Sequence, residues 1–279
     1  MSGYVATIGM FDGVHAGHRF VLGQVVSESR RRGLRSLCIT FDHSPRHEQV
    51  LTPLAEKRQL ILATGIDRVE VLPFTPALKS MTARQFMCDV LRRRLGVSVL
   101  LTGYDNRFGH NRAEGFADYR RYGLELGIDV VALPAEGSVS SSRVRQLLQD
   151  GQVDEAARCL GRPYSISGTV VHGEHLGTRL GFPTANIVPQ CPQQLVPAPG
   201  VYAVTCGTLR GMMNIGTRPT FGPHGQTLEV HLFDYHGDLY GRQLTIGFVR
   251  RLRAERPFQS AAELIEQLRK DALQAQQQL

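Results

Sequence analysis

No run of about eighteen apolar residues occurs anywhere in the chain, so no helical membrane span is expected. Its five cysteines (Cys38, Cys88, Cys159, Cys191 and Cys206) are an odd number, and none stands at C-x-x-C spacing. That argues against both a disulfide framework and a thiolate zinc site, and leaves thiols in a reducing compartment. The stretch before Tyr4 has neither a basic n-region nor an apolar h-region, so no secretory leader is expected either. Internal repeats are absent, and the Gln-rich tail after Ala272 is the one low-complexity stretch. These absences together predict a cytoplasmic protein with no membrane association.

What is present suits two folded domains. A chain of 279 residues exceeds the usual single-domain size, and 42% hydrophobic with 20% charged residues is ordinary for a globular protein. A net charge of +7 favours an acidic partner, phosphates above all, without separating a nucleotide from a nucleic acid. Apolar, β-rich runs at Tyr4–Gly9, Ser36–Phe41, Arg68–Leu72, Ser98–Thr102 and Asp129–Leu133 alternate with helix-like stretches near 16–32, 54–65, 83–95 and 115–126. Thr52-Pro53 puts Pro at a first helical position, and Thr82-x-x-Gln85 is a capping-box pattern. Strands alternating with helices predict a parallel sheet with helices on both faces, whose ligand site lies beyond the carboxyl ends of the strands.

After about residue 160 the pattern changes. Short apolar runs at 166–172, 201–206, 209–215, 227–233 and 243–249 follow one another with Gly, Pro and Asn between them. Successive strands of this kind predict an antiparallel sheet or small barrel. One helix closes the chain, opened by Ser260-x-x-Glu263 and carrying Leu264, Leu268 and Ala272 on one face. The boundary is expected near Gly161-Arg162-Pro163, giving domains of 1–158 and 159–279.

Directly after the first strand stands Gly9-Met10-Phe11-Asp12-Gly13-Val14-His15-Ala16-Gly17-His18. Its glycines allow a tight strand-to-helix turn, and a helix N-terminus presents unpaired N–H groups to an anion. His15 and His18 are three apart and share one face of the first turn. Adenylyl transfer needs such donors where negative charge builds on the α-phosphate. A bare H-x-x-H is as often a structural pair; placement after strand one is what favours the functional reading. Ser140-Ser141-Ser142-Arg143-Val144-Arg145 follows the fifth strand and opens a helix, with hydroxyls and an arginine fork suited to polyphosphate. Gly103-Tyr104-Asp105-Asn106-Arg107-Phe108-Gly109 follows the fourth strand, and Phe41-Asp42-His43-Ser44-Pro45-Arg46 the second.

These segments, in this order, resemble those of bacterial FAD synthetases, members of the nucleotidyltransferase superfamily with the H-x-G-H signature. The resemblance implies that His15 and His18 contact ATP phosphates and that Ser141, Ser142 and Arg145 close over the pyrophosphate. It also implies that Gly9, Phe11, Asp12, Gly17 and Asp105 help to hold ATP. The chain differs from the family pattern at Ser44, where histidine is usual, and at Asn106, where an aromatic is usual.

The second half holds Gly168-Thr-Val-Val-His-Gly173-Glu-His-Leu-Gly177-Thr178-Arg179-Leu-Gly181-Phe182-Pro183-Thr184-Ala185-Asn186. Its glycines let a backbone approach phosphates closely. Thr184 and Asn186 offer two hard oxygen ligands of the kind Mg²⁺ accepts beside ATP oxygens. The string resembles riboflavin kinases, which carry G-F-P-T-A-N after a glycine-rich flap. Matches continue through Asn214-Ile-Gly-Thr-Arg218-Pro-Thr, Glu229-Val-His-Leu and Leu252-Arg253-Ala-Glu255.

That resemblance implies a six-stranded antiparallel barrel with a C-terminal helix. It implies Glu229 as catalytic base, and Gly173, Gly177, Gly181, Pro183 and Asn186 at the ATP phosphates. Thr184 and Asn186 would hold Mg²⁺, and Arg218, Arg253 and Glu255 the flavin. Thr178 departs from it, arginine being common there.

Three readings follow. One is a bifunctional enzyme making FMN from riboflavin and ATP, then FAD from FMN and ATP. The second is a riboflavin kinase with a weakened or regulatory adenylyltransferase domain. The third is a nucleic-acid binder, suggested by the charge and by Arg30–Arg32 and Arg92–Arg94. Those triplets sit at helix C-termini, where cations complement the dipole, and no aromatic-rich nucleic-acid motif adjoins them. The expected ligands are therefore riboflavin, FMN, FAD and ATP with Mg²⁺, with no nucleic acid and no protein partner.

Overall fold

Residues 3–43, 48–103, 106–134, 139–172, 181–217 and 226–279 are described by a computed structural model. They divide into two compact units, Met1–Ser140 and Ser141–Leu279.

In the first unit β1 (Tyr4–Ile8), β2 (Arg35–Phe41), β3 (Arg68–Leu72), β4 (Val97–Gly103) and β5 (Asp129–Leu133) form one sheet in the order β3-β2-β1-β4-β5, every pair parallel. The central strands are buried nearly throughout, as expected when helices cover both faces. The layers include α1 (Ala16–Arg32), α2 (Leu54–Leu62), α3 (Pro76–Ser80), α4 (Ala83–Gln85) and α5 (Phe116–Leu126). A π-helical stretch, Phe86–Arg94, continues α4. Strand order reverses between β1 and β4, so the turn after β1 opens at the sheet's switch point.

Local signals explain most ends. Thr82 and Gln85 form the reciprocal capping box. Pro53 stands at the cap of α2 itself, one position before the helix, while Thr52 N–H is taken by Asp12. The arginine triplet of α1 ends that helix, where Arg31 and Arg32 pair with Glu28 and Arg32 also reaches Asp129. Arg93 and Arg94 bond Asp89 and Glu70. Four arginines of the two triplets are thus engaged within the fold.

In the second unit α6 (Ser141–Gln149) and α7 (Val153–Leu160) precede a closed barrel. Its strands are β6 (Tyr164–Val171), β7 (Ala185–Pro189), β8 (Gly200–Cys206), β9 (Leu209–Thr217), β10 (Gln226–Leu232) and β11 (Gln243–Arg253), in the order β10-β7-β6-β11-β8-β9. All neighbours are antiparallel. Ala198 N–H donates to Leu148 O and Arg251 to Asp150 O, tying α6 to the barrel. The division at Ser140 and the expected join at 158/159 therefore differ over α6 and α7.

The last helix, α8 (Ala261–Gln278), lies on the outer barrel wall, where Leu268, Ala272 and Ala275 pack with Met212, Ala203 and Phe233. At its start Ser260 Oγ accepts Glu263 N–H, but the Glu263 carboxylate reaches back to Gln259 N–H rather than to the cap residue. Among the described residues no helix is long and apolar enough to cross a membrane.

Candidate functional site

The turn after β1 is backbone under constraint. Phe11 (φ 50°), Gly13 (φ 84°) and Val14 (φ 43°) all lie in the left-handed region. For the two non-glycine residues that costs on the order of 1–3 kcal/mol each, and such strain persists only where the surroundings over-determine it. The turn delivers His15 to the N-cap of α1, where Nδ1 accepts His18 N–H at 3.4 Å. The two imidazoles stack with centroids 3.6 Å apart, and Phe11 meets His18 edge-on at 5.2 Å. A Cβ on Gly17 would stand in ordinary van der Waals contact with the His15 ring and the Val139 carbonyl, at 3.4–3.5 Å.

Burial, with Arg19 nearby, lowers the His15 pKa to about 4. Burial, then His15 and Lys57, hold His18 well below the ordinary imidazole value. Both rings are therefore neutral at pH 7.

Asp12 is buried, and its carboxylate accepts Leu51 N–H (3.0 and 3.1 Å) and Thr52 N–H (3.2 Å). Its visible work is to fasten the turn to the chain entering α2. Gly9 leaves room for the Phe11 ring: a Cβ there would come within 3.2 Å of it.

Beside the turn opens a cavity of about 420 Å³ whose walls include Gly9, Phe41, Phe74, Phe86, Asn106 and Phe108. Phe108 stacks on Tyr119 at 4.1 Å, and Tyr119 Oη anchors the Phe108 backbone. Gly109 (φ 91°) crosses close beneath: a Cβ there would come within 2.6 Å of Ala83 N. Asn106, which replaces the family's usual aromatic, donates Nδ2–H to Ile8 O at 2.8 Å. Asp105 and Ser44 lie outside the described residues. In the second unit, Ser141 and Ser142 open α6 and Arg145 is buried within it.

The second unit organises its polar groups by strand register. Glu229 of β10 stands opposite Asn186 of β7 and Asn214 of β9; Asn214 pairs with Val201, and Val201 with Arg253. Directly opposed residues project to one side of a sheet. Leu228, Val230 and Leu232 fill the barrel, so Glu229 faces outward with the amides. A cavity of about 300 Å³ forms there, lined by Thr184, Asn214, Glu229, His231, Arg253 and Glu255 among others, with Leu264 and Leu268 of α8 at one side. His231 Nδ1 bonds Pro183 O at 2.7 Å, holding the G-F-P-T segment against β10. Gly216 leaves room for the Glu255 carboxylate, 3.0 Å from where a Cβ would sit, and Thr217 Oγ1 donates to Glu255 at 3.3 Å.

Arg253 lines this cavity, yet its fork is occupied by Asp271 of α8 at 2.8–3.0 Å. Asp271 is fully buried and accepts a further bond from Gln267. Gly181 takes φ 81°, and Phe182 lies edge-on to His231. Gly173, Gly177, Thr178 and Arg218 lie outside the described residues. Two contributors escape a motif reading: Lys57 and Asp271. A signal existed for Lys57, which shares the buried stripe of α2 with Ile61 four residues on.

A switch-point turn with paired neutral histidines, and a barrel wall carrying a carboxylate between two amides, define a protein with two phosphate-handling units. The comparisons give the class its particular family. Residues 1–145 match the family described as FAD synthetase, and residues 160–279 match riboflavin kinase. The chain is 40% identical to the bifunctional riboflavin kinase/FMN adenylyltransferase of Escherichia coli K12, covering 99% of this chain and 92% of that one. It is 34% identical to the protein of the same name from Bacillus subtilis, over 97% and 91%. A solved structure titled macrolide-efflux protein, from Streptococcus pneumoniae, superposes with a TM-score of 0.88 at 30% identity, over 97% and 92%. This chain belongs to the bifunctional riboflavin kinase/FMN adenylyltransferase family.

Proposed function

We propose that the two units catalyse successive steps: residues 159–279 transfer the γ-phosphoryl group of ATP to riboflavin, and residues 1–158 transfer AMP from a second ATP to the FMN formed, releasing pyrophosphate. The observation that carries the kinase assignment is the outward pair Glu229 and Asn214 on the wall of the 300 Å³ cavity, with Asn186 opposite Glu229 in register. Glu229 there takes the proton of the ribityl 5′-hydroxyl as that oxygen attacks phosphorus.

Thr184 and Asn186 fit a Mg²⁺ ion in chemistry and place. Both are hard oxygen donors; Thr184 lines the cavity and Asn186 is Glu229's register partner. Among the described residues no cluster of three His, Cys, Asp or Glu offers an all-protein cage, which suits an ion held largely by phosphate oxygens. When bound, Mg²⁺ would neutralise charge on the ATP phosphates. Glu255 and Arg253 stand where the flavin end of the substrate would lie.

In the first unit His15 and His18 donate N–H bonds to the α-phosphate oxygens as the FMN phosphate attacks and pyrophosphate leaves. The aromatic cavity beside them accommodates the flavin ring. A cytoplasmic location is supported by the five free thiols.

The test is direct. Incubating the chain with riboflavin, ATP and Mg²⁺ and resolving the flavins should give FMN and then FAD. FMN alone would favour a kinase with a weakened transferase unit, and unchanged riboflavin would refute both.

A further inference from the structure

Lys57 is 5% exposed, on the face of α2 that packs against the sheet. Lysine is almost never buried to this degree without a specific partner. Its Nζ donates to Met10 O at 3.2 Å and to Phe41 O at 2.9 Å. These carbonyls lie at the carboxyl ends of two neighbouring strands: Met10 is in the strained turn two residues past β1, and Phe41 closes β2. Thr40 Oγ1 takes the same Met10 carbonyl at 3.0 Å.

The connection closes on itself. Asp12, in the turn, holds the backbone of Leu51 and Thr52, which leads into α2. That helix returns Lys57 to the turn. Two buried polar groups, one from each side, thus fix the segment in which Phe11 and Val14 have positive φ. Removing either frees the turn to relax.

We propose that Lys57 is a positioning residue for adenylyl transfer, its ammonium holding the strained turn that sets His15 and His18 and adding fixed positive charge where the triphosphate binds. The inference rests on the reading of His15 and His18 as phosphate donors. The charged and titratable groups acting on Lys57 are Asp12 from the turn, Cys38 in β2 and Asp42 just beyond it, and Lys57 acts in turn on His18. Burial lowers its own pKa, while those three groups act to raise it.

The test uses the full chain with riboflavin phosphorylation as an internal control, since that reaction belongs to the other unit. Lys57→Met should lower kcat/KM for FAD formation from FMN and ATP by about 100-fold, the scale of a small misplacement of catalytic groups. Riboflavin phosphorylation should stay unchanged. The His18 ring, followed by NMR titration, should protonate at higher pH once the cation is gone, an effect a packing role alone would not produce. Lys57→Arg keeps the charge and should hold the His18 titration low while recovering part of the rate.

FAD formation within twofold of the parent in Lys57→Met, or a His18 titration that does not move, overturns the proposal. If Lys57→Met loses the cooperative melt of the first unit, Lys57→Arg decides: a rate as low as that of His18→Ala overturns it, and one within tenfold of the parent supports it. His18→Ala separates the two levels. Undiminished FAD formation in that variant removes the underlying assignment, whereas loss there with none in Lys57→Met removes only the role of Lys57.

Discussion

On the reading proposed above, His15 and His18 in the first unit and Glu229 with its amide neighbours in the second each serve a reaction of ATP, but they are held by opposite means. The histidines depend on one short turn whose backbone is strained and whose position is over-determined by buried side chains. Glu229 depends on register: alternation turns it outward, and antiparallel pairing places Asn186 and Asn214 beside it with no unusual φ among the three. A turn concentrates donors at a helix N-terminus, where charge develops on one phosphorus atom. A sheet wall spreads groups at fixed intervals along an extended substrate. The difference teaches where each half is vulnerable: the first to anything that loosens a few buried polar bonds, the second to anything that shifts a strand or the helix lying across it.

The sharpest break in that comparison is Glu229→Gln. It keeps shape and register and removes the base, so FMN formation from riboflavin should fall about 10³-fold or more, while FAD formation from supplied FMN is unchanged. A parallel fall in both reactions would end the two-site assignment. Next comes Asp271→Ala, which leaves the Arg253 guanidinium half-buried without its carboxylate. It should lower the stability of the second unit by about 3 kcal/mol and raise KM for riboflavin, read by thermal melting and initial rates. His18→Ala, at the start of α1, should cost FAD formation about 100-fold, the scale of one lost oxyanion donor, and spare phosphorylation of riboflavin. Equal loss in the kinase reaction would show that the units do not act separately.

How much of this the sequence could disclose follows the same division. The five parallel strands were legible because β-rich apolar runs alternate with helix-like stretches, and their residues fall within two of the observed limits. The barrel strand Ala185–Pro189 was not read as a strand, because it follows directly on the G-F-P-T segment and is short. Nothing in the composition of Phe86–Arg94 distinguishes π-helical from α-helical hydrogen bonding.

Within the sites, residues clustered in a motif were readable and those supplied across the chain were not. Arg253 and Asp271 are 18 residues apart, and only the packing of α8 on the barrel brings them together. Asp12 was legible as a member of the turn, but its bonds to Leu51 and Thr52 come from 39 and 40 residues away. The alternation of β10 was visible; which face met solvent depended on the barrel closing.

The smallest of the expected effects tests whether the turn is held at the expense of imidazole protonation. His15 has its folded pKa lowered to about 4, against 6.5 for an ordinary histidine, and burial lowers His18 in the same direction. Below pH 6.5 the unfolded chain therefore binds protons that the folded chain refuses, so stability falls as pH drops through this window and is independent of these groups above it. Acidifying from pH 6.5 to 5 should cost the first unit about 1.5 kcal/mol through His15 alone. Hydrogen exchange of β1 and β4 amides in the full chain measures it, with the second unit's β8 and β9 as an internal reference. Replacing both histidines by asparagine should flatten the dependence. Protection that is already flat from pH 7 to 5 in the parent chain would mean that the stacked rings are hydrated and the turn is looser than its hydrogen bonds imply.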